Sequence, residues 1–327
     1  GKVVADYVRA TGETSLIFGE PDYWFKTVFA TRGLFGENTR RAALADSLGL
    51  LRATPTETWM RALDRGGRPV EASAALVAHL RAMADFARIM RVNQRAQDYE
   101  ARADALEARV ADTFFAGGTP LDRLDRDGQR DPVLRPNARI ALADLRLDAD
   151  TERAATRRLA EALAYRHGVG TQSQADSVTC YPFLREPAFY EPRQAAFRGP
   201  AWPWLTSVLV DLMVEQGGAE QAYGFTEAQA GLVLDRGAVG AVASVVDAHP
   251  HPGEDAPRVG GSPADLYALA GFVGNAWQDY LGARYAAGNR LVLEPILPEA
   301  WGMTTARLRL GEGCVRATVR QVSEAVT

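Results

Sequence analysis

Glu57-Thr58-Trp59-Met60-Arg61-Ala62 leads into Gly67-Arg68-Pro69-Val70-Glu71, and apolar residues then recur at Val70, Ala74, Val77, Leu80, Met83, Phe86 and Met90. Gly67 and Pro69 punctuate a loop, and the three- and four-residue spacing after them predicts a helix over 70–92. The same period extends outward. Residues 95–116 set Tyr99, Leu106, Val110 and Phe114 on one face. Pro136 suits the first position of a helix over 136–146. Asp150-Thr151 reads as the cap of a helix to His167, with Gly168 as its stop. Further helices fit 200–216, 218–236 and 263–286. Upstream, 1–11 reads as a short helix and 23–53 as two, broken near Gly33 and Gly36. The sum is about ten helices with no short solenoid repeat, which predicts an all-α chain of paired helices.

After residue 287 the period changes to two. Leu291-Val292-Leu293, Ala306 to Leu310 and Val315 to Val319 alternate like strands, with Gly311-Glu312-Gly313 as a turn. The expected organisation is a helical unit over 1–286 and a small β segment over 287–327 packed on it. Two stretches, 168–199 and 247–262, hold no helical period. Loops beyond about 12 to 15 residues in a compact domain are usually functional or disordered. Their aromatic content argues against disorder.

The chain has 327 residues, 47% hydrophobic and 24% charged, with a formal net charge of −4. This is the profile of a soluble globular chain, and the mild acidity suggests neither a nucleic-acid nor an anionic-membrane partner. No apolar run approaches the roughly 18 residues of a membrane span. Gly1-Lys2-Val3-Val4 lacks the apolar core of a signal peptide and a Met, so a trimmed chain or a fragment is expected. Cys180 and Cys314 lie far apart, which predicts free thiols in a reduced, cytoplasmic compartment. His249 and His251 in a Pro-rich loop are a weak metal signal, so neither a metal nor another cofactor is expected. There is no Gly-x-Ser-x-Gly, P-loop, dinucleotide fingerprint or His-Glu-x-x-His.

The opening stretch resembles the acid-residue signature of the amylo-α-1,6-glucosidase (glycogen debranching enzyme) family, Thr-Trp-Met-Asp-Ala followed by a Gly- and Pro-containing loop and Pro-Val-Glu. Four further pieces follow in the family's order. Arg135-Pro136-Asn137 is similar to its Arg-Pro-Asn at a helix start. Gly168 to Ser173 sits where it has a Gly-Val-Arg-Thr-Leu-Ser turn. Arg198-Gly199-Pro200-Ala201-Trp202-Pro203-Trp204-Leu205 resembles its Gly-Thr-Val-Trp-Pro-Trp-Leu, and Leu293-Glu294-Pro295 with Leu297-Pro298 and Trp301 its closing segment. The resemblance implies an (α/α)6 toroid with a sugar site at one mouth, and α-glucan oligosaccharides as ligands. Pyranose faces are apolar, so sugar sites use exposed aromatic rings with polar groups around them. Trp59, Trp202 and Trp204 fall at loop-to-helix junctions, as stacking platforms or as ordinary core aromatics. Arg198, Asp265 and Tyr267 are the matching contact positions.

The departures concern chemistry. Inverting hydrolysis needs a carboxylic acid at the leaving oxygen and a carboxylate base about 6.5 to 9.5 Å away. The family's acid position holds Arg61, and a guanidinium stays protonated. Its base position aligns with Val245 in Ser244-Val245-Val246-Asp247-Ala248-His249. The family's Trp-Gly-Arg-Asp is Trp24-Phe25-Lys26-Thr27, its Tyr-His is Ala196-Phe197, and its Gln-Ala-Trp-Ser is Asp265-Leu266-Tyr267-Ala268. Asp64, Glu57 and Glu71 are carboxylates that a shifted loop brings to the acid position, and Asp247, Glu254 and Asp255 are candidates for the base. The alternative for each is an ordinary solvated carboxylate. Arg61 pairs with Glu57 or Glu71, or binds an anionic sugar. Three functions stay open: a glucan hydrolase with Asp64, Glu71 or Asp247 in relocated roles, a catalytically inactive carbohydrate binder, or a structural protein without a sugar ligand.

Overall fold

The computed structural model of the chain describes residues 7, 8, 11, 46–176, 180, 181, 183, 192–236, 238–251, 253–286, 290–310 and 313–320. Its helices are α1 (Val70–Ile89), α2 (Asn93–Val110), α3 (Asn137–Leu142), α4 (Ala149–Leu163), α5 (Pro192–Ala195), α6 (Pro203–Glu215), α7 (Ala219–Asp235) and α8 (Leu266–Gly274). Two of them run on into π turns, α2 through Ala111–Phe115 and α8 through Asn275–Tyr280.

Burial sorts these helices into two layers. α1 buries Val70, Ala74, Val77, Leu80, Met83 and Phe86 with several neighbours, and α6 buries Leu205, Ser207, Leu209, Val210, Leu212 and Val214. Each fully buried large side chain of this kind contributes roughly 1.5 to 3 kcal/mol. α2 buries only Ala96, Tyr99, Ala103, Leu106 and Val110, and α4 only Ala155, Thr156, Leu159 and Leu163. These are single stripes, as on an outer helix with one wet face. The α1–α2 hairpin closes on a C-terminal motif: Val92 N–H donates to Ala87 C=O and Arg91 N–H to Arg88 C=O, with Arg91 at φ 58.

The strands are short antiparallel pairs: β1 (Arg68–Pro69) with β2 (Arg123–Leu124), β3 (Ala164–Tyr165) with β4 (Gly168–Val169), and β5 (Val245–Val246) with β6 (Val259–Gly260). Toward the C-terminus β7 (Ala283–Ala286) pairs with β8 (Arg290–Leu293), and β9 (Met303–Leu310) with β10 (Gly313–Arg320). Leu281, Ala283, Ala306 and Leu308 form a small core of their own there.

Several boundaries move from the expectation, for physical reasons. α4 is capped by Asp148, whose carboxylate accepts from Thr151 N–H at 2.9 Å, two residues before the expected cap. It ends at Leu163 because 164–169 turn back as a hairpin, so Gly168 shapes a strand rather than a helix stop. Residues 46–53 form a turn and an isolated bridge between Ala53 and Gly67 instead of a helix end. The rest of the helices expected over 1–11 and 23–53, the Trp24–Thr27 motif and most of the 311–313 turn lie outside the described residues. No described helix is long and apolar enough to cross a membrane. Both cysteines are free.

Candidate functional site

α1, α3, α6 and α8 begin at Val70, Asn137, Pro203 and Leu266, where the loops carrying the sequence motifs converge. Two bridges, Gly170–Ala201 and Ala201–Val246, tie three of these loops together. Gly67 turns at φ 123, where a Cβ would stand 2.3 Å from Leu124 C=O, so the chain passes β2 in a space only glycine fits.

Around this mouth the aromatics form a row. Trp59 lies 5.7 Å from Phe197, 5.3 Å from Trp202 and 5.1 Å from Trp204, each edge to face. Phe197 stacks on Trp202 at 5.3 Å, and Trp204 meets Tyr267 at 5.6 Å. Tyr267 is 70% exposed, so the row runs from a half-buried cluster to solvent. Trp202 Nε1–H donates to Ala196 C=O at 2.7 Å. Trp59 Nε1–H donates to Asn137 Oδ1 at 2.6 Å, and Asn137 Nδ2 donates to Asp122 at 2.6 Å.

Asp122 is the hub of a buried charge network that sequence reading did not single out. Arg65 is 1% exposed. It donates to Asp122 at 3.0 and 3.1 Å and to Glu71 at 2.5 and 3.1 Å. Burial by itself lowers a guanidinium, but Asp122 and Glu71 outweigh it and hold Arg65 above its ordinary value. Burial raises the Glu71 carboxyl, with Arg65 opposing. Arg135 Nε stands 3.9 Å from Asp122, and its Nη1 donates to Gln172 at 2.7 Å. The guanidinium at the centre of the site is therefore Arg65. Arg61, four residues earlier, is exposed and makes no hydrogen bond or ion pair among the described residues.

The other expected carboxylates lie apart from this hub. Asp64 is exposed and pairs with Arg126 at 2.9 Å. Asp247 has no exposed side-chain surface; His251 Nε2 stands 3.0 Å from its Oδ2, and Arg258 N–H donates to the same oxygen at 3.2 Å. Glu254 pairs with Arg258 on the surface. Val245 is buried in β5. Asp265 caps α8, accepting from Tyr267 N–H and Ala268 N–H at 3.0 Å each. Arg198 donates to Gln194 Oε1 at 3.2 and 2.9 Å. His167, His249 and the Asp247 main chain gather beside the mouth, with His167 Nδ1 3.3 Å from Asp247 C=O and His249 Nε2 2.8 Å from Gln174 Nε2. Among the described residues no group of three or more metal-ligating side chains converges.

Beyond Trp204 a cleft of about 240 Å³ opens between α6 and α8, lined among others by Ser207, Asp211, Tyr267, Asn275 and Asp279. Asp211 and Asp279 both line it, close enough for the charge of one to act on the other. Burial first, then the Asp211 charge, pushes Asp279 up to about 8. Burial also raises Glu215, with Asp211 adding to it. Neither Asp211 nor Asp279 was a candidate from the sequence. Asp211 carried a signal: it is the one charge within Leu205-Thr206-Ser207-Val208-Leu209-Val210-Asp211-Leu212-Met213-Val214, and a lone carboxylate in an apolar helix needs a reason.

The family model of amylo-alpha-1,6-glucosidase matches residues 3–250. Among solved structures, a sialidase superposes with a TM-score of 0.71 at 13% identity, covering 97% of this chain and 31% of that chain. The GH78 family rhamnosidase of Bacillus sp. GL1 superposes at 0.66 and 15% identity, covering 98% of this chain and 30% of that chain. The chain thus spans under a third of the length of either protein. A search of curated proteins finds no significant match. The fold is the (α/α)6 toroid, rich in helix, with small antiparallel strand pairs.

Proposed function

The chain belongs to the amylo-alpha-1,6-glucosidase family, and from that premise we propose that it binds α-glucan oligosaccharides at the aromatic mouth without hydrolysing them. Its function is glycoside hydrolase-related. The observation that carries the binding-only reading is the state of the carboxylates. Glu71 is clamped by two hydrogen bonds from Arg65, Asp64 is a solvated ion pair, and Asp247 is sealed beneath His251. A general acid must present a proton to the leaving oxygen, and both Glu71 carboxyl oxygens are already engaged by Arg65.

Asp211 and Asp279 do not supply the missing pair. They lie together in the cleft beyond Trp204 and not among the carboxylates of the mouth. Trp59, Trp202, Trp204 and Tyr267 are the stacking platform in this reading, with Arg198 at its rim. Asn137 and Asp122 fix the Trp59 indole, so the platform is rigid before ligand arrives.

Incubation of concentrated protein with α-1,6- and α-1,4-linked glucans, read by chromatography, tests both halves. No sugar release is expected, beside saturable binding of maltooligosaccharides by calorimetry that weakens at least about tenfold in Trp204→Ala. Release that disappears in Glu71→Gln overturns the binding-only reading. Absence of binding across the panel overturns the platform.

A further inference from the structure

We propose that the acidic cleft between α6 and α8 binds a compact hydroxylated ammonium ion, the class of an amino sugar with a free amine. The argument is one of donors and acceptors. Asn275 is 3% exposed and lines the cleft. Its Nδ2 is committed to Ser207 C=O at 2.9 Å and Asp279 Oδ2 at 2.6 Å, and its Oδ1 has no partner. A buried carbonyl oxygen without a donor costs about 1 to 3 kcal/mol, so a wall that keeps one is built for something that donates. Asp211 and Asp279 stand beside it, and both are acceptors when ionised. An –NH3⁺ group carries three donors and no acceptor.

Charge points the same way. Among the described residues no lysine, arginine or histidine lines the cleft. Arg139, which is buried close to Asp211, turns its Nη2 to Val208 C=O, and Arg284 pairs with Glu215 at 3.3 Å. The two carboxyls are left to bear on each other, and the Asp211 charge adds to the burial that raises Asp279. Trp204 and Tyr267 wall the cleft, and aromatic faces attract ammonium groups. The sugar class follows from size and from Ser207 and Gln278, which can each donate to and accept from hydroxyls. Asn275 and Asp279 also sit on the π turn that ends α8, a distortion that recurs at functional sites.

This site shares Trp204 and Tyr267 with the glucan platform but stands on its own acidic floor. Calorimetry of the whole chain with glucosamine, glucose and N-acetylglucosamine at mildly acidic pH tests it. Glucosamine is expected to bind at least about tenfold more tightly than the two neutral sugars, and more weakly as salt rises. The double variant Asp211→Asn with Asp279→Asn, which keeps shape and leaves the cleft without a carboxylate, is expected to cost glucosamine about tenfold and leave maltooligosaccharide binding unchanged. Asp211→Ser with Asp279→Ser serves if that variant does not fold. Equal affinity for glucose and glucosamine overturns the proposal, as does glucosamine binding indifferent to both substitutions, or no saturable binding at all. Displacement of glucosamine by an equal concentration of calcium chloride overturns it in favour of a metal site. Loss of maltooligosaccharide binding in Trp59→Ala with glucosamine binding intact separates the failure of one site from the failure of the other.

Discussion

Glu71 and Asp122 at the mouth, and Asp211 and Asp279 in the cleft, are both pairs of carboxylates drawn out of water, but the first pair is bridged by Arg65 and the second has no cation among the described residues that line its cleft. At the mouth the positive charge arrives inside the network and opposes the burial that raises Glu71. In the cleft Arg139, buried near Asp211, donates to Val208 C=O instead, and Asp279 is pushed up to about 8. Glu71 at the mouth thus has a counter-charge in contact, while Asp279, beyond Trp204, has none among the described residues that line its cleft. Perturbed groups mark functional sites more often than balanced ones do, which directs attention to the cleft.

Removing Arg65 should break the mouth most severely. Arg65→Met leaves Glu71 and Asp122 buried without a cation, and a loss of about 3 to 5 kcal/mol is expected in urea unfolding. A loss under about 1 kcal/mol would mean that water already screens the pair. Asn137→Ala comes next. It strands the Trp59 indole N–H and takes one of two donors from Asp122 Oδ1, for an expected loss of about 1 to 3 kcal/mol and a shift in Trp59 fluorescence. An unchanged emission spectrum would show that packing, not Asn137, sets the ring.

The cleft should respond to pH instead. The Asp211–Asp279 pair keeps its proton to about pH 8 when folded, against about 3.9 for an Asp in the unfolded chain. Between those values the folded state binds more protons, so stability falls as pH rises and levels off above about 8. Asp279→Asn should flatten that slope and gain about 1 to 2 kcal/mol at neutral pH. Denaturation at several pH values with parallel slopes for both proteins would refute the shared proton. Glu215, Glu152, Arg139 and Arg284 face the same pair and set the remaining slope. The smallest effect is expected at Asp64→Asn, whose pair with Arg126 is exposed on both sides: under about 1 kcal/mol, with no change in glucan binding. A marked loss of binding there would bring Asp64 back as a functional group.

Much of the fold was legible because it rests on local periodicity. The spacing from Val70 to Phe86 put one face of α1 in the core, and alternation from Ala306 to Leu310 and Val315 to Val319 made a hairpin. The family motifs located the mouth, since Trp59, Trp202 and Trp204 do converge there. The two-residue strand pairs were invisible because each is defined by a partner far along the chain, as Ala201 is by Val246. Asp148 was passed over for Asp150-Thr151 because neighbouring residues of capping type compete, and backbone direction chooses between them.

The sequence by itself determined that paired helices make the body and that aromatics flank the loop ends, because these follow from residue identity and spacing. Only the tertiary structure decided which charges meet. Arg65 rather than Arg61 reached Glu71 and Asp122, and Asp211 met Asp279 from another element, because ion pairing depends on distance and burial, and neither is encoded in separations of 57 or 68 residues along the chain.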